Sequence, residues 1–137
     1  MAFNQKETDF VLKTLSMHPN YKDIILRMEE SRNLDITKIK KGILLLTFEF
    51  APWGRFLENL FRAIENIDIS GMEVVLVSMG DEITLDDLEK MGIDRPTTWG
   101  DAYWVKNGTV LFKKAWTHGG DADRQQLAIT RTEELMK

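Results

Sequence analysis

The stretch Gly42-Ile43-Leu44-Leu45-Leu46-Thr47-Phe48-Glu49-Phe50-Ala51-Pro52-Trp53 decides the fold, together with the pattern that continues from it to Ile67. From Ile43 to Phe50 the chain is almost continuously apolar and is bracketed by Gly42 and Pro52, which predicts a strand buried on both faces. Such a strand sits in the middle of a sheet. Beyond it, Trp53, Leu57, Leu60, Phe61, Ile64 and Ile67 recur at offsets of three and four, while Arg55, Glu58, Asn59, Arg62, Glu65 and Asn66 fill the opposite face. This is an amphipathic helix, and Pro52 suits its first turn because the missing N–H would have no partner there.

Downstream, Asp68 to Gly71 turns the chain and Met72 to Met79 reads as a second buried strand. A strand, a helix and a strand in succession predict a right-handed crossover and a parallel pair. Thr84 is placed to cap a short helix that closes on Gly92 with Ile93 as its apolar contact. Asp94 to Gly100 is a loop holding Pro96. Next come two β-rich runs joined by Asn107-Gly108, a pair that favours a two-residue type I′ turn because both residues tolerate positive φ. The register expected from that turn sets Lys106 opposite Thr109, Val105 opposite Val110, Trp104 opposite Leu111 and Tyr103 opposite Phe112. Asp121 or Asp123 then caps a last helix with Ala128, Thr132, Leu135 and Met136 on its inner stripe.

Upstream, Asn4-Gln5-Lys6-Glu7 has the form of a capping box and opens a helix through Phe10, Val11, Leu12 and Leu15, which His18-Pro19 ends. Asn20 is placed to cap a second helix carrying Tyr21, Ile24, Ile25 and Met28, followed by a polar loop at Ser31 to Asp35. Leu34 to Ile39 is a loop or a short edge strand. Residues 1–33 are thus expected as a helical extension on a core of residues 42–137, in one domain spanning 1–137.

Composition narrows the chemistry. The 137 residues carry a net charge of −4 with a pI near 5.2, a balance that argues against nucleic acid as a partner, since phosphate neutralisation needs a concentrated basic surface. Lys38, Lys40, Lys41, Lys113 and Lys114 read as solvated strand ends. No stretch approaches the length of a membrane span, and the N-terminus lacks a secretory signal's apolar segment, so the expected setting is cytoplasmic, without membrane. The chain has no cysteine, which removes disulfides, thiol nucleophiles and thiolate metal sites together.

The order from Gly42 onward is strand, helix, strand, helix, strand, strand, helix. That α/β pattern, a parallel βαβ followed by an antiparallel hairpin and a closing helix, resembles the thioredoxin-like βαβαββα mixed sheet flanked by helices, here with two extra N-terminal helices. Local residues add to the resemblance. Phe48-Glu49-Phe50-Ala51-Pro52-Trp53 is similar to the approach to the thioredoxin active site, Glu89 to Ile93 to the family's short helix closing on glycine, and Tyr103 to Val110 to its strand, Lys-Asn-Gly turn and strand. Where the family places Cys-Gly-Pro-Cys, this chain has Gly54-Arg55-Phe56-Leu57. Pro96 stands several residues before the third strand, whereas the family's cis-proline precedes that strand directly. The resemblance implies a redox-inactive member, without cofactor, acting as a protein-binding, assembly or chaperone-type module.

Pro52, Trp53, Gly54 and Arg55, with Trp99 in its loop, are the candidate binding residues, because exposed amides and the helix dipole at a helix start can receive a peptide or a small anion. The structural alternative buries Trp53 in the core and leaves Arg55 in solvent. Asp81, with Glu82 and Glu49, lies at the strand ends where open α/β sheets bind ligands and three carboxylates could hold Mg²⁺, but the same residues suit a turn and a helix start. We expect no metal site. His18 and His118 both stand in turn-like settings that read as surface. A small α/β enzyme or ligand-binding domain, flavodoxin-like or sulfur-relay-like and using the acidic strand ends, is the alternative function, and a homo-oligomeric structural unit is a third.

Overall fold

The computed structural model describes residues 3–47, 53–79, 85–93, 101–115 and 122–137. Helix α1 (Gln5–Ser16) is followed by strand β1 (Ile25–Glu30), strand β2 (Lys41–Thr47), helix α2 (Trp53–Ala63), strand β3 (Glu73–Ser78), helix α3 (Leu85–Lys90), strands β4 (Asp101–Lys106) and β5 (Thr109–Ala115) and helix α4 (Ala122–Met136). Five strands form one mixed sheet in the order β1-β3-β2-β4-β5. Strands β1 and β2 both run parallel to β3, and β4 runs antiparallel to β2 and β5.

Alternation along the strands divides the core into two layers. Ile43, Leu45, Val74, Leu76 and Trp104 face α1, α2 and α4, whose Val11, Leu15, Leu57, Leu60, Ala128 and Leu135 complete that layer. Leu44, Leu46, Val75, Val77, Tyr103 and Val105 face the other way, onto Leu34, Ile36, Ile39, Leu88 and Ile93. With every residue from Gly42 to Thr47 buried, β2 is the doubly covered strand its apolar run requires. The capping box of α1 forms as expected: Glu7 N–H donates to Asn4 Oδ1 at 2.8 Å and Asn4 N–H to Glu7 Oε1 at 3.0 Å. Gly92 takes φ +80° after α3 and delivers Ile93 to the core with no exposed surface.

Two expectations are overturned. In place of a second N-terminal helix, a short 3-10 turn at Tyr21–Asp23 leads into β1, so residues 25–30 belong to the sheet. Ile24, Ile25 and Met28 have helical spacing, yet Ile24, Leu26 and Met28 also have the period of a strand, and these three pack against the core. Parallel pairing with β3 decides between the two periods. Ile25, which the helical reading put on the inner stripe, is 51% exposed. The hairpin register also differs beyond the turn, because a bulge at Trp104/Val105 sets Trp104 opposite Phe112 and Tyr103 opposite Lys113. Leu111 is the extra residue and stays 41% exposed. Asn107 and Gly108 have φ of 51° and 76°, as the two-residue turn demands. Asp123 lies within the first turn of α4 and does not cap it; the other candidate, Asp121, is outside the described residues.

Lysines at the strand ends have work beyond solvation. Lys41 Nζ lies 3.5 Å from the Met136 carbonyl and Lys106 Nζ 3.4 Å from that of Lys137, where cations complement the last turn of α4. Glu73 gathers the starts of the parallel strands: Oε1 accepts from Arg27 at 2.8 Å, and Oε2 from the amides of Lys40 at 2.7 Å and Lys41 at 3.3 Å. Gly42 permits this convergence, since a Cβ there would stand 2.7 Å from the Glu73 carbonyl oxygen and 2.9 Å from Glu73 Cβ.

Gly42→Ala should therefore cost about 1–3 kcal/mol in urea unfolding, the usual range for forcing atoms into a packed site. Exposed Asp35 and Asp68 are held below the ordinary carboxylate range chiefly by side-chain hydrogen bonds from Thr37 and Ser70. Their contribution is present above the unfolded carboxylate pKa of about 4 and is lost as pH falls through the lowered folded value. Asp35→Ala and Asp68→Ala should each flatten the acid side of a stability-against-pH curve.

Candidate functional site

Helix α2 begins at Trp53, and α1 lies across its first turn. The Trp53 ring is met edge-on by Phe3, at 5.7 Å between centroids and 74° between planes, and by Phe10, at 6.3 Å and 87°. Phe10 rests on Gly54, where a Cβ would come within 3.0 Å of its Cε1. A glycine at this position of α2 thus leaves room for an aromatic ring from α1. Lys6, Glu7, Phe10, Trp53 and Gly54 line an open depression of about 230 Å³ with an apolar surface. Arg55 is exposed beyond it.

Of the residues singled out in the sequence, Trp53, Gly54 and Arg55 lie together here, whereas Pro52, Trp99 and Asp81 are outside the described residues. Glu49, Glu82, Pro96 and His118 are outside them as well. Trp53 takes neither of its two anticipated roles in full: it is half-buried, packed against the core by one edge and open to the depression by another. Phe3 and Phe10 are the residues sequence reasoning missed. Phe10 reads as one of several apolar residues of α1, and nothing in the spacing of Phe3 announces that both rings converge on Trp53.

Chemically, this surface offers aromatic edges with charges at the margin. No hydroxyl or thiol is among the described residues that line it, and among the described residues no group of histidine, aspartate and glutamate is arranged to hold a metal ion. An apolar or aromatic side chain fits such a lining better than a small anion, which would need inward-pointing donors.

His18 requires a correction, because it is 3% exposed and not a surface residue. Asn20 N–H donates to Nδ1 at 3.1 Å, so the ring proton resides on Nε2, which donates to the Ile64 carbonyl at 3.1 Å. Phe61 meets the ring edge-on at 6.2 Å. Asn20, expected as a helix cap, instead accepts from Ile69 N–H at 3.2 Å. The His18-Pro19-Asn20 turn thereby ties the end of α1 to the segment that leaves α2. A cavity of about 90 Å³ between the two helices is lined by Thr14, Met17, Glu58, Arg62 and Glu65 beside it.

Trp104 is fully buried, and its Nε1 donates to Thr132 at 3.0 Å. Arg131 covers this side, with its guanidinium 5.7 Å from the Trp104 ring and 5.3 Å from that of Phe112. Burial pushes its pKa below the ordinary arginine value. These contacts are packing.

No protein-family model and no curated protein matches the chain. Among the described residues, no helix is long and apolar enough to cross a membrane.

His18→Ala would leave the Asn20 amide without its partner and the Ile64 carbonyl with the Ile67 N–H alone. A loss of about 1–3 kcal/mol in chemical denaturation is expected, the cost of orphaning a buried polar group.

Proposed function

We propose that the chain is a thioredoxin-like module without thiol chemistry, and that it binds a protein partner through the apolar surface around Trp53. The order of elements supports the first part. The βαβ unit formed by β2, α2 and β3, the hairpin of β4 and β5, and the closing α4 follow the family's succession. Strand β1 adds the leading strand that the sequence alone did not disclose, with 3-10 turns between it and β2 in place of a helix.

The observation that carries the second part is the depression beside Trp53 and Gly54. It lies at the start of the helix where the family holds its reactive cysteines, and here that position has become aromatic surface. An anchor of the kind found at interface centres fits it, an aromatic or long aliphatic side chain on a partner peptide, with Lys6, Glu7 and Arg55 available to the flanking charges. Such a role needs recognition without turnover. Assembly and chaperone-type work both belong to that class.

Selection from a displayed peptide library on the immobilised chain tests the proposal. Enriched peptides should share an apolar anchor, and Trp53→Ala should weaken their binding by about tenfold or more, as expected for loss of a hot-spot aromatic, while circular dichroism remains unchanged. Disulfide reduction should be absent throughout. Binding that survives Trp53→Ala undiminished would refute the site, and a stabilising thermal shift with phosphorylated metabolites or Mg²⁺ alone would favour a ligand-binding domain instead.

A further inference from the structure

The outer edge of the sheet at β1 has the chemistry of a self-complementary interface. Ile25 N–H donates to the Met72 carbonyl at 2.9 Å, and the Asp23 carbonyl accepts from Gly71 N–H at 2.8 Å. In a parallel pair, alternate residues direct both backbone groups at the neighbour and the residues between direct theirs away. Ile25, Arg27 and Glu29 therefore serve β3, and Leu26, Met28 and Glu30 present their amides and carbonyls outward. Among the described residues, no strand pairs with that side of β1. Met28, Glu29 and Glu30 also border an open cleft of about 340 Å³. An uncovered edge of this kind is a template for another strand.

We propose that this edge pairs antiparallel with the same edge of a second copy of the chain, about a two-fold axis at Met28. In that register Met28 faces Met28 of the second copy, and Leu26 faces its Glu30, so all the outward backbone groups meet as hydrogen-bonded pairs. Arg27 then faces Glu29 of the second copy, twice over, at the positions where side chains of an antiparallel pair come closest. Moving the axis to Arg27 would set two guanidiniums against each other, and moving it to Glu29 would do the same to two carboxylates. Of these three centres only Met28 matches opposite charges.

The monomer leaves these charges available. The short contact of Arg27 is from Nη2 to Glu73, at 2.8 Å, whereas Nη1 reaches Glu29 of its own strand only at 3.9 Å. That long contact is the one ion pair of Glu29 among the described residues. Charged residues on an edge strand often discourage pairing, but a sequence that alternates their sign about the axis selects one register and one partner, itself. The inference does not rest on the reading of the Trp53 site, although Phe3, which meets Trp53, also borders the cleft beside β1.

Sedimentation velocity of the full chain over a concentration series tests it. The native chain should form a reversible dimer, which Glu29→Arg should weaken by about tenfold or more, since two attractive cross-strand pairs become repulsive. Met28→Pro should abolish it by removing an outward amide that β3 does not use. An equimolar mixture of Arg27→Glu and Glu29→Arg chains should recover the dimer, because each substituted position then meets its opposite charge. Circular dichroism checks that each variant is folded; if loss of the Glu73 contact unfolds Arg27→Glu, the other two variants decide. A native chain that remains monomeric at every concentration, or a dimer that withstands both Glu29→Arg and Met28→Pro, would overturn the proposal.

Discussion

Burial of β2 on both faces is the constraint that the remainder of the fold satisfies. A strand whose side chains are apolar from Ile43 to Leu46 must have a strand on each side and a layer above and below, or its backbone and side chains would be exposed in conflicting ways. Strand β3 supplies one neighbour and β4 the other. Helices α1, α2 and α4 cover one face, and the segment from Leu34 to Ile39 with α3 covers the second. The close approach of Gly42 to Glu73 is a consequence of the same crowding: the glutamate that would be costly beside a buried strand instead collects Arg27 and two free amides at the sheet's end.

Much of this was legible before any coordinates, wherever a residue pattern had one solution. The capping box at Asn4, the Asn107-Gly108 turn and the stripe of α2 are local, and local chemistry decides them. Strand β1 was not, because Ile24 to Met28 satisfies a helical and a strand period in the same few residues, and only the distant edge of β3 breaks the tie. The bulge was hidden for a related reason. Val110, Leu111 and Phe112 are each acceptable strand residues, so the choice of which one to leave unpaired comes from packing, where Phe112 joins Trp104 beneath Arg131.

The candidate site was legible in half its members. Trp53 and Gly54 announced themselves by standing at a strand-to-helix junction, but the rings of Phe3 and Phe10 reach them across more than forty residues of sequence, and no periodicity records such a meeting. Their arrival changes the chemistry of the place. A bare helix start would favour an anion, whereas a tryptophan flanked by two phenylalanines favours an apolar anchor. His18 is the complementary case, a polar residue whose turn-like surroundings suggested solvent and whose two ring nitrogens are both occupied in the interior.

Both functional proposals depend on a single sheet in which β1 is the outer parallel strand and the hairpin lies against β2. Interstrand nuclear Overhauser effects on the isotopically labelled chain measure this most directly. Contacts should connect Ile43 with both Val74 and Trp104, and Met28 with Leu76, following the observed register. A hairpin whose contacts stay within β4 and β5, or helical sequential contacts across Ile25 to Glu30, would contradict the architecture.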